Sequence, residues 1–414
     1  MDYDKTIQII PHSDEQGKLF DKTEYEGEEF KETNIVINLK ANTMEVKNML
    51  SEELLNYLVS ETVFSDLEDE AKVIRNEVLG KEIGKAINGG DEAMLEFSCE
   101  LSEKLLDMDV YKASVITNFI GFVCEKTQNT RAAEGVIKLL AKSSILVKEF
   151  WECFKNEQGE IIMEEDWNGA EIYSQNKDAI CAYYGFNTLC VSAMAFLARE
   201  YKCREFMKSL DVREVVSYLA EEVPETEYMR SVFYVNRIYD TCGRIPLVVL
   251  DEERGQGVIV EANDLNNCFH LIFLLEEALY NNFKEKYGME GYVPDEVLSE
   301  LAGGKYLDCG DRHAQAFFTE YCYPVRNDVP NNQDIHKIYD LLWGEMSPMY
   351  IPALDGYGVI ILKRSGPHRG FSSSFLFTDH TALSPYVKIV RELSDAEYKE
   401  WEKKLNTLRI EREK

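Results

Sequence analysis

Five of the six histidines in this sequence lie after residue 243. Imidazoles titrate near neutral pH and bind metal ions, so a cluster of them is what an acid–base or metal site requires. His313 follows Cys309 at i, i+4 spacing, with Asp311 and Arg312 between them. Further ligands would have to come from Cys322, His336 or His380. No spacing requires this and no HExxH motif occurs, so we predict no metal ion and no other cofactor.

A second group that could do chemistry is the basic segment 363–374, KRSGPHRGFSSS, in an otherwise acidic chain. Glycines, hydroxyls and guanidinium groups can hold a phosphate or a carboxylate. The segment is not a P-loop, and the alternative is an exposed hairpin connection. The candidate binding residues of the C-terminal part are therefore Asp311, Arg312, His313, Arg364, His368 and Arg369.

The acidic segment 156–178 carries Trp167, which we also regard as a candidate binding residue because exposed loops often make contacts. Glu164, Glu165 and Asp166 directly before it could bind a cation, but a solvated acidic loop is the preferred interpretation. The sequence contains no GxSxG motif and no Gly-rich dinucleotide fingerprint. We therefore predict no catalytic residue.

Some chemically capable residues are better explained by the core. His270 stands inside a strongly apolar helical pattern, which predicts a hydrogen-bonded core histidine. The ten cysteines include no CxxC pair and fall mostly within apolar helical patterns, which is typical of an intracellular chain that uses cysteine as a small core residue.

The charge balance limits the possible partners. Lysine and arginine number 45 against 75 aspartate and glutamate residues, a formal net charge of −30. Such a field repels nucleic-acid phosphates and anionic lipids, and it steers basic partners towards the chain. The apolar runs are shorter than the roughly 20 residues of a membrane span, and the first residues lack a signal-peptide pattern. We expect a soluble, cytoplasmic protein with a basic protein partner. The alternative is an ordinary acidic cytoplasmic protein whose charge selects no partner.

The elements that must position these residues begin with helices. Apolar residues at helical spacing predict helices over 44–58, 63–87, 91–106, 110–123, 131–153, 179–201, 213–221 and 225–242. Short polar turns between helices indicate an antiparallel, α-solenoid-like array, although no fixed repeat is present.

Strands follow the helices. The runs 247–250 and 258–260 predict a hairpin, after which Asp264 is expected to cap a buried helix. Asp355-Gly356 predicts a type I′ hairpin turn, 386–393 a strand, and Ser394 with Glu397 a capping box before a terminal helix. A further short helix is expected over 335–343. The predicted organisation is an N-terminal arm (1–41), including a strand at 33–39, a helical array (42–243) and a mixed α/β C-terminal domain (244–414).

The succession of a helical front, then LDEERGQGVIVEANDLNNCFHLIFLLEEAL, then WGEMSPMYIPALDGYGVIILK, resembles an uncharacterised bacterial family with the same layout. The resemblance covers roughly the last 170 positions and implies the domain layout, but no activity.

We therefore predict an acidic protein-binding protein, in the manner of an antitoxin, immunity or defence-associated factor that masks a basic partner. One alternative is an enzyme, hydrolase-type or metal-dependent, with its site in the C-terminal domain. Another is a scaffold subunit that assembles through the charged helix 394–412.

Overall fold

The computed structural model describes residues 50–412, apart from 163–166, 308–309, 311, 325–338 and 365–368. The predicted arm, with its strand at 33–39, lies outside the described residues. The first half of the described chain is helical. Its helices are α1 Glu52–Val59, α2 Glu70–Ile74, α3 Glu77–Asn88, α4 Asp91–Lys104, α5 Val110–Thr127, α6 Ala133–Glu152, α7 Gly169–Gln175, α8 Lys177–Leu197, α9 Tyr201–Lys208, α10 Arg213–Glu221 and α11 Val232–Tyr239.

The predicted helix over 63–87 is wrong, because this segment is broken into a 3₁₀ turn at Phe64–Asp66 followed by α2 and α3. Asn76 causes the second break, since its side chain accepts hydrogen bonds from the amides of Val78 and Leu79 and so starts a new helix. The loop predicted over 156–178 contains α7, because Asn168 and Asn176 each cap a new helix.

Helix α8 lies at the centre of the helical part and packs against α5, α6, α7, α9 and α11. Small residues allow its close approach to α5. A Cβ atom added to Gly185 would lie 2.6 Å from Cβ of Ser114, and one added to Gly121 would lie 3.0 Å from Cα of Ser192. In the described part of the chain, α8 is the one helix long and apolar enough to cross a bilayer, and 78% of its apolar window is buried in the fold.

The second half contains the sheet. Its elements are β1 Ile245–Asp251, β2 Gln256–Asn263, α12 Cys268–Phe283, α13 Glu296–Ala302, β3 His313–Gln315, β4 Glu320–Pro324, β5 Tyr339–Leu341, β6 Ala353–Leu354, β7 Tyr357–Lys363, β8 Gly370–Ser372, β9 Tyr386–Glu392 and α14 Asp395–Arg412. The main sheet has the order β5-β4-β7-β1-β2-β9, with β6 added beside β7, and β3 pairs with β8 separately. Strands β1 and β7 are parallel, whereas the other pairs are antiparallel.

Alternate residues of β1 face opposite sides of the sheet, as the two-residue period of a strand requires. Leu247 and Val249 join the core under α12. Val248 and Leu250 join a smaller core that includes Trp401 of α14. The sheet is therefore covered on one face by α12, with α13 in the same core, and on the other face by α14.

Two predicted turns and a cap are confirmed. Residues 247–250 and 258–260 lie in the paired strands β1 and β2. Asp355 and Gly356 both have positive φ, 51° and 81°, as a type I′ turn requires. The amide of Ser394 donates to the Glu397 carboxylate at 2.8 Å, which completes the capping box.

Two other predictions are wrong. Asn267, not Asp264, caps α12 by accepting from the amide of His270. Asp264 instead has a φ of 52° and accepts from Arg204 of α9 at 2.7 Å. In the predicted helix over 335–343, residues 335–338 lie outside the described residues, and Tyr339–Leu341 form a strand because they pair with β4.

Residues 377–385, here called the strap, join the second half of the chain to the helices. Leu383 lies in the helical core. Arg237 of α11 lies 3.0 Å from a carboxylate oxygen of Asp379. Next to Asp379, His380 contacts Glu125 of α5. Further along the strap, the amide of Ser384 donates to Asp264, which also binds Arg204.

The protein is about 54% helical and has a mixed sheet in its C-terminal part, which confirms the predicted fold class at this level. All the described residues belong to one compact unit. The domain boundary at 243/244 stays a prediction.

Candidate functional site

Arg364, the first residue of the predicted anion-binding set, is held inside the fold. Its guanidinium forms two bonds to the fully buried Asp251 carboxylate, of 3.0 and 2.8 Å, and donates to the carbonyl of Tyr287 at 3.0 Å. Its Cζ also lies 4.7 Å from the ring centroid of Phe318. These contacts anchor the end of β7 to the end of β1, so this guanidinium has little freedom to bind a ligand.

The other described members of the set are spread over separate places. Arg369 donates to the carbonyl of Leu342 at 2.6 Å. Arg312 forms an exposed ion pair with Asp295 at 3.2 Å. His313 is exposed on β3. Asp311 and His368 lie outside the described residues, so whether they complete a site stays a prediction.

The histidines of the described chain do not converge. His270 is buried, and its Nε2 lies 2.7 Å from the carbonyl oxygen of Ala302, as expected of a core histidine. Burial lowers the pKa of His270 to about 4. Burial also lowers the pKa of His380, which lies 3.5 Å from Glu125. Across 50–412 with its gaps, no group of three His, Cys, Asp or Glu side chains could hold a metal ion.

The cysteines behave as small core residues. Of the nine described cysteines, all free thiols, seven are buried. Burial raises the pKa of Cys124 and of Cys181 to about 12, so both remain thiols at neutral pH. Such thiols are poor nucleophiles.

Trp167 packs into an aromatic cluster. Its ring centroid lies 5.5 Å from that of Phe150 and 5.6 Å from that of Phe154, both edge-on. Phe150 in turn stacks on Tyr183 of α8 at 4.0 Å. Trp167 therefore ties the segment before α7 to the helical core. The three acidic residues before it lie outside the described residues.

Glu276 of α12 is a buried carboxylate that the sequence did not single out. One of its oxygens accepts from the amides of Phe317 and Phe318, at 2.7 and 3.0 Å, and from the hydroxyl of Tyr321. Burial raises its pKa to about 7, and the three donors partly offset this. Because all three donors belong to the protein itself, the Glu276 carboxylate stabilises the turn before β4 rather than binding a ligand.

One surface feature of the described chain is a groove between α10 and α11. Its cavity measures about 440 Å³, compared with about 280 and 290 Å³ for two others. We call it the α10–α11 groove; it is lined by Leu219, Ala220, Val223, Pro224, Glu225, Met229, Arg230, Val232, Phe233 and Tyr234. Phe233 and Tyr234 are each 46% exposed, with ring centroids 5.5 Å apart at an edge-on angle.

The walls of the groove are fixed by a polar network on one side. Arg213 of α10 binds Asp240 at 2.6 Å and also donates to Asn236 of α11. Asn236 donates to Glu221, at the end of α10, at 3.0 Å. Burial raises the pKa of Asp240, and Arg213 partly offsets this. The two helices are therefore held in one arrangement from Arg213 to Glu221.

The chain segment that forms most of the groove is acidic. Residues 211–231 contain six acidic residues and two arginines, and all six acids are exposed. One of the arginines, Arg213, is neutralised by Asp240. In the described part of the chain, Glu222 and Glu225 take part in no ion pair. The groove thus combines an exposed aromatic pair with Glu225 and Arg230 in its lining, and Glu222 lies on the adjoining connection.

The sequence predicts a helix over 225–242, which includes Phe233, but does not identify this groove. A signal was present in residues 232–235, VFYV, because four consecutive apolar residues exceed what one helix face can bury. The sequence Glu-Glu-Val-Pro-Glu at 221–225 supplies the adjacent charge.

In comparisons with known proteins, the chain matches no family model, no curated protein and no solved structure.

Proposed function

We propose that this chain is a binding protein for a basic protein partner. The observation that carries the proposal is the excess of exposed acidic residues in the segment that forms the α10–α11 groove, next to the exposed rings of Phe233 and Tyr234. Exposed apolar groups bordered by charge are typical of protein interaction sites. The net charge of −30 supports the same partner class, since it attracts a basic protein and repels phosphate backbones.

In this proposal the protein is cytoplasmic and acts as an antitoxin, immunity or defence-associated factor that masks its partner. Helices α1–α11 serve as an antiparallel, solenoid-like array that offers an extended surface. The alternatives of a C-terminal enzyme site and of a scaffold subunit stay predictions. Arg364 and Arg369 lend the enzyme site little support, because internal acceptors already occupy their guanidinium groups.

The test is purification of tagged protein from its native cells at low and high salt, with mass spectrometry of the co-eluting proteins. We expect a stoichiometric basic partner at low salt whose yield falls at high salt, because salt screens exposed charges over about 10 Å at 0.1 M. A variant with Glu222→Gln and Glu225→Gln should recover less of it. A matched control, Glu157→Gln with Glu290→Gln, changes the net charge equally at two other exposed positions and should recover the wild-type amount.

The absence of any stoichiometric partner at low salt would overturn the proposal. A partner that is acidic, or whose yield is independent of salt, would overturn it as well.

A further inference from the structure

We infer that the α10–α11 groove binds an amphipathic segment of the partner, in which a bulky apolar side chain stands next to lysine or arginine. This inference rests on the proposed function and specifies what its site recognises. Nothing in the overall charge requires an apolar anchor, so the inference goes beyond charge-steered association.

The shape of the groove indicates that the bound segment carries a bulky apolar side chain. The groove volume of about 440 Å³ lies within the roughly 300–1,000 Å³ of the small-molecule pockets of proteins, so it has room for one bulky side chain. Leu219, Val232 and Met229 are buried beneath it, whereas Phe233 and Tyr234 remain about half exposed at its edge. Burial of these two rings by an apolar side chain of a partner would contribute strongly to the binding free energy, because aromatic residues dominate the energetics of interfaces.

The charges around the groove indicate that the bound segment also carries lysine or arginine. Glu225 is part of the lining, and Glu222 precedes it by three residues on the connection between the helices. Arg230 also lines the groove and is exposed, so its guanidinium can donate to backbone carbonyls of an incoming segment. A lysine or arginine beside the apolar anchor would meet Glu222 or Glu225, and an acidic segment would be repelled.

Charge also argues against two other occupants. Residues 1–49 of the same chain carry 11 acidic and six basic residues, so this segment is itself net negative. A second copy of the chain would bring another 30 negative charges to the same surface. Like-charge contacts are costly in an interface, so a basic segment from a different protein is the occupant that fits.

The experiment uses the full chain and three fluorescent peptides of equal length. The first contains one phenylalanine among lysines and small polar residues, the second has that phenylalanine replaced by serine, and the third keeps the phenylalanine but has glutamates in place of the lysines. Fluorescence anisotropy at low and high salt measures the affinities. We expect the first peptide to bind about tenfold more tightly than the second, and the third not to bind.

The variants locate the site. Phe233→Ala should weaken binding of the first peptide by about tenfold and leave the second unchanged. Phe122→Ala is the matched control, because Phe122 is a helix phenylalanine of the helical part that is 49% exposed, close to the 46% of Phe233. It should bind both peptides as the wild type does. Tyr234→Ala provides a second groove variant, and circular dichroism checks that each variant is folded.

The outcomes separate the two proposals. Equal binding of the first two peptides, with no effect of Phe233→Ala or Tyr234→Ala, would overturn the groove while leaving charge-steered binding intact. An equal loss of affinity in the Phe122 control would overturn the assignment to this groove. Failure of both basic peptides to bind at low salt would overturn the groove and the proposed function together.

Discussion

Replacement of Arg364 by methionine should destabilise the protein, because Arg364 neutralises a carboxylate that has no access to water. The Asp251 side chain is 0% exposed, and that of Arg364 is 20% exposed. The pair has two direct contacts of 3.0 and 2.8 Å. Methionine keeps much of the apolar stem but leaves the Asp251 carboxylate buried without this cation.

The expected loss follows from that geometry. Breaking a buried pair from one side costs about 3–5 kcal/mol. The amide of Arg254 and the side chain of Gln256 still donate to Asp251, at 3.3 and 3.4 Å, and the Arg254 guanidinium lies 3.9 Å from its carboxylate, so the lower end of this range applies. We expect Arg364→Met to reduce the free energy of unfolding by about 3 kcal/mol.

Urea unfolding followed by circular dichroism measures this change. Arg312→Met is the control, since the pair of Arg312 with Asp295 is 48% and 39% exposed and should contribute less than about 1 kcal/mol. The double variant Asp251→Leu with Arg364→Met should lie closer to the wild type than Arg364→Met alone, because it also removes the buried carboxylate that has lost its bidentate partner. A loss within about 0.5 kcal/mol for Arg364→Met would refute this reasoning and make the guanidinium available for ligand binding.

The remaining predictions concern pH and a turn. The pKa of Glu276 is raised to about 7, so its protonated form stabilises the fold at low pH and this contribution is lost as pH rises towards 7. The melting temperature should therefore fall over this pH range, and Glu276→Gln should remove the fall. The pKa of His270 is lowered to about 4, so its contribution to stability is fully present above its ordinary pKa of about 6.5 and is lost as pH falls towards 4. His270→Asn should reduce the fall of the melting temperature over that pH range. Profiles of both variants parallel to the wild type would contradict these assignments. Gly356→Ala should cost about 1 kcal/mol in urea unfolding, since φ is 81° there, whereas Gly291→Ala, with open space at its Cβ, should be near neutral; equal losses would contradict the turn argument.

Local chemistry made part of the fold predictable. Helices α4, α5 and α6 closely follow the predicted ranges, because each has an apolar pattern bounded by a turn or a cap. The Asp355-Gly356 turn and the Ser394 capping box were predictable for the same reason, since all the atoms involved lie within a few residues of each other. The break at Asn76 was missed because the apolar period continues through it, although the asparagine cap was present in the sequence.

The candidate site was harder to predict because its chemistry depends on distant residues. Arg364 appeared available for an anion, but its partner Asp251 is 113 positions away in sequence. The strand at 339–341 depends likewise on pairing with β4, which no local pattern reveals. The exposure of Phe233 follows from how α11 packs, and a helical pattern cannot show which of several apolar faces is left uncovered.

The strap has a consequence for the order in which the chain folds as it is synthesised. Leu383 is part of the helical core, yet it is made long after Tyr239, the last residue of α11. At about 5–20 residues per second, the ribosome needs roughly 7–30 s to synthesise the intervening chain. Throughout that interval the helices lack one buried leucine, the carboxylate partner of Arg237 and the contact of His380 with Glu125. The first half of this protein therefore reaches its final stability only when the last part of the chain has been translated.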